Sequence, residues 1–142
     1  MKHLKLFEQY NSDELLQDSK FGKIKGAIAH DIYGIADIFN KYGDSQLVLE
    51  ILEEEYGQEL YPISILENIN ININYRGMGK GKELYSEYER WAVMNQCQYS
   101  ILVSDKGEKQ LDGFVLDNWY RSLGYTKIAN LSDNSVMIKD LI

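Results

Sequence analysis

The chain has 142 residues, 44% apolar and 26% charged, with a net charge of −7. This length can bury one sizeable core, so a single domain over residues 1–142 is expected. An acidic chain repels phosphate backbones, which argues against nucleic acid as a partner, and it draws cationic ligands instead. No apolar run is long enough for a membrane helix.

Taken in chain order, residues 3–7 are expected as a first strand. Residues 12–19 are expected as a short helix with Ser12 or Asn11 as its N-cap. Between residues 27 and 42, Ile28, Ile32, Ile35 and Phe39 recur at helical spacing, weakened by Gly34. Residues 46–54 read as a strand, with Leu47, Leu49 and Ile51 on one face and Val48 and Leu52 on the other. Tyr56-Gly57-Gln58 reads as a turn. Residues 60–73 are extended, with a bulge near Glu67-Asn68. Residues 80–96 read as a helix carrying Leu84, Tyr88, Trp91 and Ala92 at spacings of three and four. Residues 99–104 are nearly all apolar, as in a buried strand. A polar loop at 105–112 follows, then a helix over 113–122 that Gly124 ends. Strands at about 125–129 and 135–139 close the chain. Alternating strands and helices with a terminal hairpin indicate an α/β fold with a mixed sheet.

The most informative stretch is Ile69-Asn70-Ile71-Asn72-Ile73-Asn74-Tyr75-Arg76-Gly77-Met78-Gly79-Lys80-Gly81-Lys82. A period-two strand pattern runs into a glycine-rich turn and then a helix. Unpaired N–H groups at a helix N-terminus, glycines that admit close approach, and Lys80 and Lys82 make a site for phosphate groups. A P-loop does not fit: Glu83 follows Gly81-Lys82, and the loop's first glycine is replaced by Arg76. The dinucleotide fingerprint does not fit either, because Lys82 stands at its third glycine.

Arg76-x-x-Gly79-x-Gly81 resembles the Arg/Gln-x-x-Gly-x-Gly/Ala loop of the GCN5-related N-acetyltransferases. Trp119-Tyr120-Arg121-Ser122-Leu123-Gly124-Tyr125 is similar to that family's C-terminal Tyr-x-x-Leu-Gly-Phe segment, in the family's order and spacing. The resemblance covers roughly residues 60–140. It implies a mixed, mostly antiparallel sheet of six or seven strands flanked by helices. That sheet splays between its fourth and fifth strands, here 60–73 and 99–104, and acetyl-CoA is the co-substrate. It also implies that Gly77, Met78, Gly79, Lys80, Gly81 and Lys82 bind the pyrophosphate, with Arg76 opening the loop. The backbone of Ile71 would meet the pantetheine arm, and the N–H of Ile69 the acetyl carbonyl. Ile73 stands where many members carry proline. Gly113, beside Asp112, stands where the family often has asparagine.

Tyr120 matches the family's tyrosine and is the candidate acid: a phenol with a pKa near about 10 can protonate a departing thiolate. Its alternative role is core packing beside Phe114 and Leu123. Only a free amine attacks, so a base is also needed. Glu67 is the leading candidate, sharing the parity of Ile69 and Ile71 if no bulge intervenes. Glu53, Glu54 and Glu55 read better as a solvated charge run, and a water chain could replace a single base. His3 and His30 are too isolated for a metal site or a triad. Cys97, the sole cysteine, rules out an intrachain disulfide and reads as an apolar filler. Trp91 and Trp119 read as core.

The resulting expectation is a cytoplasmic N-acetyltransferase, judged also from the lack of a signal-peptide core in Met-Lys-His-Leu-Lys-Leu-Phe-Glu. It would move acetyl to a primary amine, either a small cationic molecule or a protein lysine or N-terminus, by direct attack. No metal, membrane or nucleic-acid partner is expected, and homodimers are common in the family. A second reading is a coenzyme A-binding module without turnover. A third, an acetyltransferase acting on charged tRNA, lacks a basic stripe to support it.

Overall fold

The computed structural model describes residues 13–106 and 115–142. The expected strand at 3–7, the caps Asn11 and Ser12, His3, Phe114, most of the 105–112 loop including Asp112, and Gly113 lie outside them. In order, the elements are β1 (Glu14–Ser19), β2 (Gly22–Ala29), α1 (Ile32–Phe39), α2 (Gln46–Tyr56), β3 (Ile63–Ile71), α3 (Lys80–Met94), β4 (Tyr99–Ser104), α4 (Leu116–Ser122), β5 (Thr126–Leu131) and β6 (Asn134–Asp140). Short 3-10 turns at Gly57–Leu60 and Ile73–Tyr75 flank β3.

The strands form one sheet in the order β1-β2-β3-β4-β6-β5, antiparallel except for the β3–β4 pair. Each face carries its own apolar layer. Leu66, Tyr85, Tyr88, Trp91, Leu102 and Met137 lie with α3 and α4 on one face. Ile35, Phe39, Val48, Leu52, Ile63 and Ile101 lie with α1 and α2 on the other. Asp31 caps α1, its carboxylate accepting the Gly34 N–H at 3.2 Å.

Three expected elements differ. Residues 14–19 form an edge strand, not a helix: they pair with β2 from Glu14↔Ala27 to Ser19↔Gly22. Only Leu15 is buried there, so sheet pairing decides the conformation and little alternation shows in the sequence. Residues 27–29 belong to β2, and the helix starts only at Ile32, after the Asp31 cap. Residues 46–56 form a helix, not a strand: Val48 and Leu52, four apart, are the buried pair, and Leu47 is 75% exposed. β3, α3, β4 and the closing hairpin lie where expected, and α4 occupies the C-terminal part of its expected span.

Candidate functional site

β3 and β4 pair only from Ile63↔Tyr99 to Leu66↔Leu102. Beyond that point both strands continue unpaired to each other, and this is the splay. Its cause lies one residue further along β3. On β2, Lys25 faces Asn68 and Gly26 faces Leu66, so Glu67 is an extra residue, a bulge. A bulge bends its strand and increases its twist, which turns β3 away from β4 at the place where they part.

The bulge also resets the backbone. The Asn72 N–H donates to the Phe21 carbonyl at 2.8 Å. Bonded and non-bonded pairs alternate along an antiparallel ladder, so Ile71–Gly22 and Ile69–Ile24 are non-bonded pairs. The N–H and C=O groups of Ile69 and Ile71 therefore point away from β2, into the gap that β4 has left. Their side chains pack on the α3 face. Glu67 turns to the opposite face, where its carboxylate lies 3.9 Å from the Lys25 ammonium and 4.0 Å from that of Lys41. The condition attached to its parity is not met: the bulge separates Glu67 from Ile69 and Ile71.

The glycine-rich loop follows β3. The Arg76 Nε donates to the Ile71 carbonyl at 2.9 Å, and its Nη2 reaches the Asn70 side-chain oxygen at 3.3 Å. Arg76 thus holds the loop against the strand end. Gly79 caps α3 with a φ of +76°, a left-handed conformation that a side chain would strain. Glu83 makes the first helical bond back to Gly79 at 3.3 Å. The N–H groups of Lys80, Gly81 and Lys82 precede it without an acceptor in the helix, at the positive end of a 15-residue dipole. Met78 and Lys82 are exposed, as is Gly77. Lys80 lies over the Phe21 ring at 4.4 Å and pairs with Glu83 at 3.2 Å.

Gly81 is needed for space. A Cβ there would stand 2.9 Å from the Trp119 ring and 3.6 Å from the Ile71 side chain. The loop, the end of β3 and α4 therefore meet at Gly81. Tyr120, next along α4, is 6% exposed, its ring packed on Trp119 at 5.3 Å and Tyr125 at 6.0 Å.

Asp117 fastens α4. Its carboxylate accepts from the buried Ser104 hydroxyl at 2.5 Å and the buried Ser135 hydroxyl at 2.7 Å, one on the end of β4 and one on β6. Burial pushes its pKa up, but the two hydroxyl donors, Arg121 and Lys106 outweigh it and leave the pKa below the ordinary value. Beside this helix, Tyr88, Ser100, Tyr125 and Tyr85 form a buried hydroxyl chain with links of 2.6, 2.6 and 3.0 Å. Burial raises the pKa of all three phenols, so the chain stays neutral and its members satisfy one another.

The Asp117 clamp and the contact of Trp119 with Gly81 escape a sequence reading. Both join residues far apart in the chain, and neither leaves a periodic signal. Cys97 is fully buried, and burial pushes its thiol up to about 12, so it is packing rather than a nucleophile. His30 pairs with Asp13 at 3.1 Å. Among the described residues no cluster could hold a metal, and no helix is long and apolar enough to cross a membrane.

No protein-family model matches the sequence, and no curated protein matches it. Solved structures do. A protein of Lactobacillus plantarum assigned as an N-acetyltransferase superposes with a TM-score of 0.54 at 14% identity, over 86% of this chain and 61% of that one. This chain thus spans less than two thirds of that protein's length. An acetyltransferase of Streptococcus agalactiae gives 0.56 at 13% identity, over 96% of this chain and 73% of its own. An aminoglycoside 6'-N-acetyltransferase complexed with coenzyme A gives 0.54 at 15% identity, over 97% and 78%. Likeness at these identities is one of architecture: the chain has the fold of the GCN5-related N-acetyltransferase superfamily.

Proposed function

We propose that this chain is an acetyl-CoA-dependent N-acetyltransferase that acts on a primary amine by direct attack. The observation that carries this reading is the parting of β3 from β4 beside the glycine-rich loop. It leaves strand-type backbone groups, the N–H of Ile69 and of Ile71 and the Ile69 carbonyl, next to an anion-binding helix start, while the Ile71 carbonyl accepts from Arg76 Nε. The amides of a pantetheine arm fit the first, and a pyrophosphate fits the second.

Bound there, acetyl-CoA supplies the activated acyl group. Gly77 to Lys82 hold its phosphates through backbone N–H groups, with Lys82 adding charge. Arg76 acts through the loop it anchors, because its guanidinium is committed to Ile71 and Asn70. The Ile69 N–H steadies the oxyanion. Tyr120 delivers the proton to the leaving thiolate. Glu67 is the candidate base, on the face opposite the loop; an amine arriving from that face would give up its proton there. The acidic chain favours cationic acceptors. Tyr120→Phe tests the assignment: turnover should fall by about 10²-fold or more while acetyl-CoA affinity holds. An unchanged rate in a thiol-release assay would remove Tyr120 as the acid.

A further inference from the structure

The asparagines at the end of β3 do more than alternate with isoleucine. Asn70 holds Arg76. Asn72, just past the strand, fastens the β1–β2 turn. Its side-chain amide donates to the Lys20 carbonyl at 2.7 Å and its N–H to the Phe21 carbonyl at 2.8 Å. The Ser19 hydroxyl accepts the Phe21 N–H at 3.2 Å. Gly22 lets β2 and β3 close up here, since a Cβ on it would collide with the Asn70 carbonyl oxygen. The turn Lys20-Phe21 is thus fixed against the end of β3, where the glycine-rich loop begins.

Phe21 then meets the loop itself. Its ring packs edge-on against Tyr75 at 4.9 Å. Two ammoniums share that ring: Lys80, from the first turn of α3, at 4.4 Å and Lys20 at 5.0 Å. Lys80 is paired with Glu83. Lys20 and Lys82 pair with no carboxylate among the described residues. In a chain of net charge −7 this is a local reversal of sign. The sheet order says which part of a ligand reaches it. β4 flanks β3 on one side and β2 on the other. The splay that would take a pantetheine arm is on the β4 side, where the Trp119 ring also fills the approach to Gly81. The β1–β2 turn is on the β2 side, and the loop stands between. A pyrophosphate seated on the loop therefore sends its arm to one flank and its nucleotide to the other.

We infer that the β1–β2 turn is the subsite for the phosphomonoester on the ribose of coenzyme A, and that Lys20 selects it. This rests on the acetyltransferase reading and deepens it. The ribose phosphate carries about two negative charges near neutral pH, and Lys20 offers an exposed ammonium with no carboxylate to give up. The Phe21 ring holds that ammonium beside the start of α3. Asn72 is a positioning residue: it sets the turn and touches no ligand. Lys20 determines which cofactor is bound and takes no part at the reacting atoms.

The test is calorimetric titration of coenzyme A and of dephospho-coenzyme A, which lacks the ribose phosphate, into wild type, Lys20→Gln and Lys23→Gln. Lys23 lies on the same hairpin and pairs with Asp18 at 3.6 Å, so its variant controls for loss of charge alone. The subsite predicts that wild type binds coenzyme A about fivefold or more tighter than the dephospho form at low salt. Lys20→Gln should remove most of that difference, weakening coenzyme A and leaving the dephospho form unchanged. Lys23→Gln should preserve it. Equal affinities of the two ligands for wild type would overturn the subsite and leave the acetyltransferase reading standing. An equal loss for both ligands in Lys20→Gln, or the same narrowing in Lys23→Gln, would overturn it too. Failure of wild type to bind either ligand would remove the acetyltransferase reading, and the subsite with it.

Discussion

At the scale of single residues, the site depends on side chains that never touch a ligand. Asp117 is the clearest case. It holds two buried serine hydroxyls from two strands and so fixes α4, one turn before Tyr120. Asp117→Ala leaves both hydroxyls without their acceptor, and a buried orphan polar group costs about 1–3 kcal/mol. Urea unfolding near neutral pH should register a loss of that size. The pH dependence has a definite sign. The carboxyl pKa is lower in the folded chain than in the unfolded one, so the contribution is fully present above the ordinary carboxylate range. It is lost as pH falls through the folded value. The wild-type advantage over Asp117→Ala should therefore shrink on acidification. An advantage that grew toward acid would contradict the clamp.

At the scale of elements, α2 shows both the reach and the limit of a sequence reading. In Gln46–Tyr56, alternation of Leu47, Leu49 and Ile51 fits a strand, while Val48 and Leu52 fit a helix turn. Both periods are present in a short apolar run, and only packing against the sheet chooses between them. The buried pair decides for the helix. Leu52→Ala should cost about 2–5 kcal/mol and the exposed Leu47→Ala no more than about 0.5 kcal/mol in chemical denaturation. Similar losses at both positions would be wrong for this helix face. β1 was illegible for another reason: an edge strand with one buried side chain carries almost no pattern, and its partner strand imposes its shape. The glycine-rich loop was legible because backbone geometry itself restricts the residues there. Gly79 answers a left-handed φ and Gly81 the approach of a tryptophan ring. A bulge near Glu67 could be anticipated, but its consequence for that side chain follows only from the register with β2.

At the scale of the whole molecule, the sheet works as a partition. Its two faces carry separate apolar layers, and β3 and β4 stop pairing beyond Leu66 and Leu102. The glycine-rich loop, Ile71 and α4 converge on the α3 side of the sheet. Glu67 stands on the other, with Lys25 and Lys41 beside it. The −7 charge belongs to the chain as a whole, whereas locally two lysines flank Glu67. The central claim is that the loop and the splay receive acetyl-CoA. Calorimetric titration of acetyl-CoA into wild type and Gly81→Ala tests it most directly. The account predicts saturable binding at micromolar concentration to wild type. It predicts binding weakened by about tenfold or more in Gly81→Ala, where the new methyl group forces the loop off Trp119. No binding to wild type at millimolar acetyl-CoA would contradict it and leave residues 76–82 as a glycine-rich turn.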